Sequence, residues 1–175
     1  FKRWYSELAT NTGDLQGWTF MNYGYAGGED LELGDVDEWN RYPVQLYHHL
    51  FRGLKVKDAD ILDIGSGRGG GAAYIARALQ PKSMTGVDLC QEAVELSREL
   101  HGETDVLSYV KGDAEALHFE EEQFDIVISV EASHCFASMR KFLDNVHRVL
   151  RPGGHFVFTD FRSDKEFGFL GQELE

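Results

Sequence analysis

Four acidic residues and one histidine in the middle of this chain are spaced so that they could handle a small charged ligand. Asp63 stands two residues before the first glycine of Asp63-Ile-Gly-Ser-Gly-Arg-Gly-Gly-Gly71. Gly65 and Gly67, with Ser66 between them, let the backbone turn sharply and admit a ligand to contact distance, because no Cβ stands in the way. A carboxylate at position 63 suits a cationic ligand better than a pyrophosphate; its alternative use is to brace the glycine loop through amide hydrogen bonds. Asp88, next to Leu89, follows Gly65 by 23 residues. A carboxylate there can take both hydroxyls of a ribose, or it can cap the segment that starts at Gln91. Asp113, inside Gly112-Asp113-Ala114, can accept from an adenine amino group with the Ala114 amide nearby, or serve as an ordinary turn residue. His134 carries an imidazole that titrates near neutral pH and suits a general base, or it is a loop histidine bonded to backbone. Glu131 is the second candidate base, with binding of a ligand amino group or capping of the next helix as its other uses.

The elements that must position these residues alternate. Apolar runs predict strands over Asp60–Ile64, Ser83–Val87, Val106–Lys111, Phe124–Val130 and His155–Asp160. Between them, helices are predicted at Ala72–Leu79, Gln91–Leu100 and Ser138–Leu150, the last broken by Arg151-Pro-Gly-Gly154. The continuous run Ile126-Val-Ile128 suits a strand buried on both faces. Strands alternating with helices over short connections mean a parallel sheet covered on both sides, with ligands beyond the carboxyl ends of the strands. Ahead of the sheet, a helix is predicted from Pro43 to Leu54, with Val44, Tyr47, Leu50, Phe51 and Leu54 on one stripe. A short helix is predicted near Phe1–Ala9, and an aromatic, glycine-rich loop or lid carries Trp18, Phe20, Tyr23 and Tyr25. The division is one domain overall: an N-terminal helical and lid segment, 1–54, packed on a core, 55–175. The pattern stops after a fifth strand and the chain does not begin with Met, so both ends read as cut from a longer protein.

Bulk properties remove several classes. With 17 basic and 30 acidic residues the net charge is −13, which repels nucleic-acid backbones and anionic membranes. No apolar stretch approaches the ~20 residues of a membrane span. There is no signal-peptide pattern at the start, and Cys90 and Cys135 lack metal-ligand spacing, so free thiols and a cytoplasmic location are expected. No metal site is expected. The run Glu120-Glu-Glu122 reads as a solvated turn, and His48, His49, His118, His147 and His155 read as structural or surface residues. A nucleophilic Cys135–His134 pair is not expected, since loop neighbours point apart and no third orienting group follows.

Gly65-Ser-Gly-Arg-Gly-Gly70 also fits the G-x-G-x-x-G pattern of NAD enzymes, which is weak alone. Asp63 would repel the pyrophosphate, and Gly112-Asp113-Ala114 has no part in that fingerprint. Taken together, ILDIGSGRGGG, VDL, GDAEALHF, FDIVISVEASH and RVLRPGGHFVFTD, across residues 60–160, resemble a class I S-adenosylmethionine-dependent methyltransferase. The resemblance implies an α/β, Rossmann-like, doubly wound and mostly parallel sheet. It implies that Asp63, Gly65, Ser66 and Gly67 flank the methionine part of S-adenosylmethionine, and that Asp88 and Leu89 hold the ribose end. It places Gly112, Asp113 and Ala114 at the adenine, and Val130 along the cofactor's path. MNYGY at 21–25, RYPVQLYHHL at 41–50 and VEASHCF at 130–136 are similar to the phthiotriol/phenolphthiotriol dimycocerosate methyltransferase group and related small-molecule O-methyltransferases. That implies a lid over the cofactor containing Tyr23 and Tyr25, with Arg41 and Tyr42 also facing the site. The activity implied is methyl transfer to a hydroxyl of a small-molecule, lipid-like or polyketide-like acceptor. Carbon or nitrogen methylation and a non-catalytic S-adenosylmethionine-binding module are the alternatives.

Overall fold

The computed structural model describes residues 18–27 and 31–162. The helix expected near Phe1–Ala9 lies outside them. Five strands, β1 (Asp60–Ile64), β2 (Ser83–Asp88), β3 (Leu107–Lys111), β4 (Phe124–Val130) and β5 (Leu150–Thr159), form one sheet in the order β3-β2-β1-β4-β5. Every pairing is parallel. The chain starts at the centre, walks outward to β3, then returns to lay β4 on the other side of β1. That reversal between β1 and β4 opens a crevice at the strands' carboxyl ends.

Alternation along the strands builds two cores. Ile61, Met84, Ile126 and Ile128 face one way, into a cluster with Val44 and Tyr47 of α2 (Arg41–Leu50) and Ala72 and Ala73 of α3 (Gly70–Tyr74). Val94 of α4 (Gln91–His101) joins the same cluster. Leu62, Ile64, Val87 and Val127 face the other way and meet Phe142, Val146 and Val149 of α5 (Met139–Val149). A sheet buried on both faces explains the continuous apolar run Ile126-Val-Ile128 within β4.

Several boundaries differ from the sequence pattern, each for a local reason. A short α1 (Asp35–Glu38) was not foreseen; it has three acids in its first turn, which suit the positive end of a helix. The helix α2 begins at Arg41, with the Val44 amide bonded to the Asn40 carbonyl, so Pro43 sits inside the first turn where no donor is required. It ends at Leu50 rather than Leu54, followed by a turn in which Gly53 has φ +79°. The glycine-loop helix begins at Gly70 rather than Ala72 and passes into a π-helical turn, Ile75–Leu79, before Gln80 closes it in a left-handed conformation. The segment Arg151-Pro-Gly-Gly does stop α5, but it then starts β5, with a register shift opposite Phe124/Ile126. Proline is tolerated there because β5 lies at the edge of the sheet formed by the described residues.

At the amino ends of the strands, Asp60 accepts from Lys82 (2.9 Å) and Ser83 (2.6 Å), and Arg151 bridges Asp60 (3.0 Å) and Asp125 (2.6 Å). Among the described residues no helix is long and apolar enough to cross a membrane.

Candidate active site

The glycine loop leaves β1 by crossing onto β2. The amides of Gly65 and Ser66 both donate to the Val87 carbonyl, at 2.8 and 3.1 Å. Gly65 has φ +80°, and a Cβ added there would stand 2.4 Å from the Cβ of Ala132 beyond β4. Both the left-handed backbone and this approach require glycine. The loop's polar groups are consumed by the protein. The Gly67 amide donates to Asp88 Oδ2 (2.9 Å), and the Gly69 amide to the Ser66 carbonyl (2.9 Å). The Gly70 amide donates to the Thr19 carbonyl (3.1 Å), while Ser97 and Tyr109 hydroxyls bind the carbonyls of Gly67 and Gly69. The buried side chain of Ser66 packs beside Gly86. The first amide of the helix, that of Gly70, is thus already engaged by a carbonyl, and the loop amide of Gly67 by a carboxylate.

Asp63 lies beneath this loop, wholly buried, and neither of its oxygens has a hydrogen-bond partner among the described residues. Burial, and then the charge of neighbouring Asp88, pushes its carboxyl up to about 7. A bare carboxylate beside a second one is a site for a cation and repels a phosphate. The expectation that Asp63 braces the loop through amide bonds is not what the geometry shows: Asp88 does that. Asp88 accepts from Gly67 with one oxygen and from the Cys90 amide (2.9 Å) with the other. Leu89 beside it is 41% exposed, an apolar surface at the rim. The Gly112 amide donates to the Asp88 carbonyl (2.9 Å), tying the third strand's end to the second's. Asp113 is exposed and accepts from the Glu115 amide (2.9 Å) in a tight turn, while Ala114 and Val130 are buried.

The β4–β5 side is assembled differently. Beyond β4, Glu131 takes φ +49°, and its Oε2 accepts from the Tyr23 amide at 2.9 Å. Burial, outweighing that bond, raises the Glu131 carboxyl above the usual range. A 3₁₀ turn, Ser133–Cys135, then presents His134. Its Nδ1 lies 2.8 Å from Asp160 Oδ1. A carboxylate only accepts, so Nδ1 carries the proton and Nε2 is the accepting nitrogen of the neutral ring. The buried Asp160 carboxylate also receives the Ser133 hydroxyl (2.6 Å), the His134 amide (2.9 Å), the Phe161 amide (2.8 Å) and Arg162 (3.0 Å). Burial pushes Asp160 up, but these donors win and hold it below its ordinary value. Phe161 covers the imidazole, ring centroids 4.2 Å apart. Burial raises the neighbouring Cys135 thiol, which leaves it a poor nucleophile.

The sequence candidates therefore separate into groups. Asp63, Gly65, Ser66, Gly67 and Asp88 meet around the loop, with Leu89 and Gly112–Ala114 alongside. Glu131, His134 and Tyr23 meet on the opposite side. The two tyrosines grouped as one lid part company, because the Tyr25 ring stacks on His49 of α2 at 4.4 Å. Arg41 pairs with Glu38 (2.6 Å) and the Leu31 carbonyl (3.2 Å), and Tyr42 is exposed. Asp160, Ser133, Phe161 and Arg162 were missed. The available signal was an acid at the carboxyl end of the strand that neighbours β4.

Comparison with known proteins adds an independent line. Residues 62–158 match the family model described as a methyltransferase domain. The phthiotriol/phenolphthiotriol dimycocerosates methyltransferase of Mycobacterium tuberculosis is 40% identical over 176 residues, covering 99% of this chain and 64% of that protein. The fatty-acid O-methyltransferase of Mycolicibacterium smegmatis is 43% identical over 147 residues, covering 82% and 53%. The chain thus spans less than two thirds of the length of these relatives. Among solved structures, geranyl diphosphate methyltransferase in complex with GPP and sinefungin superposes with TM-score 0.69 at 22% identity, over 90% of this chain and 65% of that one. The [4+2]-cyclase SpnF superposes with TM-score 0.76 at 20% identity, over 93% and 60%. At these identities the two structures speak for the fold alone.

Proposed function

Because this chain belongs to the methyltransferase domain family, we propose that it transfers a methyl group from S-adenosylmethionine to an oxygen of a lipid-like or other small-molecule acceptor. The observation that carries the reading is the His134–Asp160 pair at the carboxyl ends of β4 and β5, across the crevice from the bare carboxylate of Asp63.

S-adenosylmethionine, when bound, supplies a methyl group on a sulfonium, which is a good leaving group. Asp63 would meet its positive charge, with Gly65 and Gly67 permitting close approach. Asp88 would accept the ribose hydroxyls, Asp113 and Ala114 would take the adenine edge, and Leu89 and Val130 would flank it. Tyr23 and Tyr25 belong to the 1–54 segment that packs on the 55–175 core, and Tyr23 reaches the crevice. On the other side, Nε2 of His134 takes the proton from the attacking hydroxyl. Asp160 holds the Nδ1 proton, fixes the tautomer and stabilises the imidazolium that forms. Glu131 has its carboxylate on the Tyr23 amide and serves to position that strap. The cytoplasm remains the expected location.

A second reading follows from the relative named for fatty acids. A carboxylate acceptor is already an anion and requires no base. His134→Ala, assayed with a fatty alcohol and the fatty acid of equal length, separates the two. The hydroxyl reading expects a fall of ~10²–10⁴-fold on the alcohol with S-adenosylhomocysteine binding intact. Unchanged alcohol turnover sinks the role of His134, and turnover on the acid alone favours the second reading.

A further inference from the structure

We infer that Phe161 and Tyr23 form an apolar platform for the body of the acceptor, which is an aryl or alkyl group rather than a polyol. The inference rests on the methyl-transfer reading and names its acceptor class. Phe161 is 48% exposed although one face covers His134 at 4.2 Å. Tyr23 is 83% exposed and meets Phe161 edge-on, ring centroids 5.7 Å apart. Single exposed aromatics are common on proteins, but two in contact, touching a candidate base, make a surface that water covers poorly.

Both rings are held in place through their backbones. The Phe161 amide donates to Asp160 and the Tyr23 amide to Glu131. Glu131 adopts its left-handed φ of +49° at this point, a strained conformation of the kind kept at functional sites. A backbone held in advance lowers the ordering cost when a ligand lands on these rings. The polar groups nearby have little left to offer a sugar. Asp160 is saturated by Ser133, His134, Phe161 and Arg162. Arg162 is bound to Asp160, Ser133 and the Phe161 carbonyl. What remains toward the acceptor beside two aromatic faces is the accepting Nε2 of His134, with the Tyr23 hydroxyl and the Glu131 oxygen that does not bind the Tyr23 amide. That pattern reads a hydroxyl on an apolar body.

The test is calorimetric binding of 4-butylphenol and of methyl glucoside to the chain loaded with S-adenosylhomocysteine. It is run on the natural chain, Phe161→Ala, Phe161→Leu and Tyr23→Ala. The natural chain should bind 4-butylphenol and show no saturable binding of the glucoside. Phe161→Ala should weaken 4-butylphenol by about tenfold or more, Tyr23→Ala by less, and Phe161→Leu should recover most of the loss. S-adenosylhomocysteine affinity should stay within about twofold in both Phe161 variants, which marks the folded site as intact. Unchanged 4-butylphenol affinity in Phe161→Ala overturns the platform. So do a parallel loss of S-adenosylhomocysteine affinity, a preference for the glucoside, and no binding of either probe. If 4-butylphenol binds through Phe161 but is never methylated, the platform stands and the methyl-transfer reading fails.

Discussion

On the β1–β2 side of the crevice, the loop amides of Gly65, Ser66, Gly67, Gly69 and Gly70 are engaged by Val87, Asp88, Ser66 and Thr19, and the buried carboxylate of Asp63 is left bare. On the β4–β5 side the carboxylate is the saturated group, and what stays open is a ring nitrogen of His134. The first arrangement holds a buried acid that the arrival of a cation would keep ionised. The second holds its charge inside and offers a nitrogen whose proton can come and go. A site that grips on one side and exchanges protons on the other follows from which carboxylate the backbone satisfies.

The largest disturbance of that contrast is Asp160→Asn. An amide can donate to Nδ1, which reverses the tautomer and takes away the accepting nitrogen. Turnover on hydroxyl acceptors should fall by at least ~10²-fold, while S-adenosylhomocysteine affinity is retained. Steady-state rates beside calorimetry would show it, and equal losses in both would mean that Asp160 only holds the fold.

Next comes Gly65→Ala, placed where the two sides touch. Its Cβ would meet Ala132 at 2.4 Å in a backbone with φ +80°. Chemical denaturation should show a loss of about 2–4 kcal/mol from overpacking and backbone strain. Adding Ala132→Gly should restore only the steric part.

Asp63→Asn sharpens the gripping side. The folded carboxyl sits at about 7 against an ordinary 3.8, so the folded chain holds the extra proton between those values. Without ligand, stability should therefore decline as pH rises from about 4 to about 7 and stay flat above. The Asn variant should lack that decline. Relative to the natural chain, its melting temperature should be at least about 4 °C more favourable at pH 8 than at pH 5. Comparing the two pH values cancels the cost of burying the amide itself. Identical pH profiles would show that Asp63 is not the group that titrates.

The smallest effect belongs to the far end of the sheet. Arg151→Met removes ion pairs to Asp60 and Asp125 that are partly exposed, so urea unfolding should shift by about 1 kcal/mol or less, and cofactor affinity should not move.

How much of this was legible depends on distance along the chain. Asp63, Gly65, Gly67 and Asp88 lie at consecutive strand ends of one right-handed walk, so local patterns carry both their elements and their grouping. His134 and Asp160 are 26 residues apart and meet only because β5 pairs with β4. A strand pattern places Asp160 at an end without saying what it faces. The loss of Tyr25 from the crevice has a similar cause. Neighbouring tyrosines in a loop share a sequence context, but Tyr25 follows the bond of its own amide to the Tyr42 carbonyl and turns onto α2. Helix ends moved by a few residues wherever a backbone bond, such as Val44 to Asn40, outweighed side-chain pattern.

The segment from Trp18 to Tyr25 has a consequence that neither side has alone. Its Thr19 carbonyl sits on the first amide of α3, the Trp18 ring lies on Arg68, and four residues later the Tyr23 amide sits on Glu131. One short tether is therefore fastened to both banks of the crevice. Any coupling between the banks that this tether carries must obey linkage. Such cooperativity is reciprocal: the factor by which one occupant changes the affinity of the other is the same in either direction.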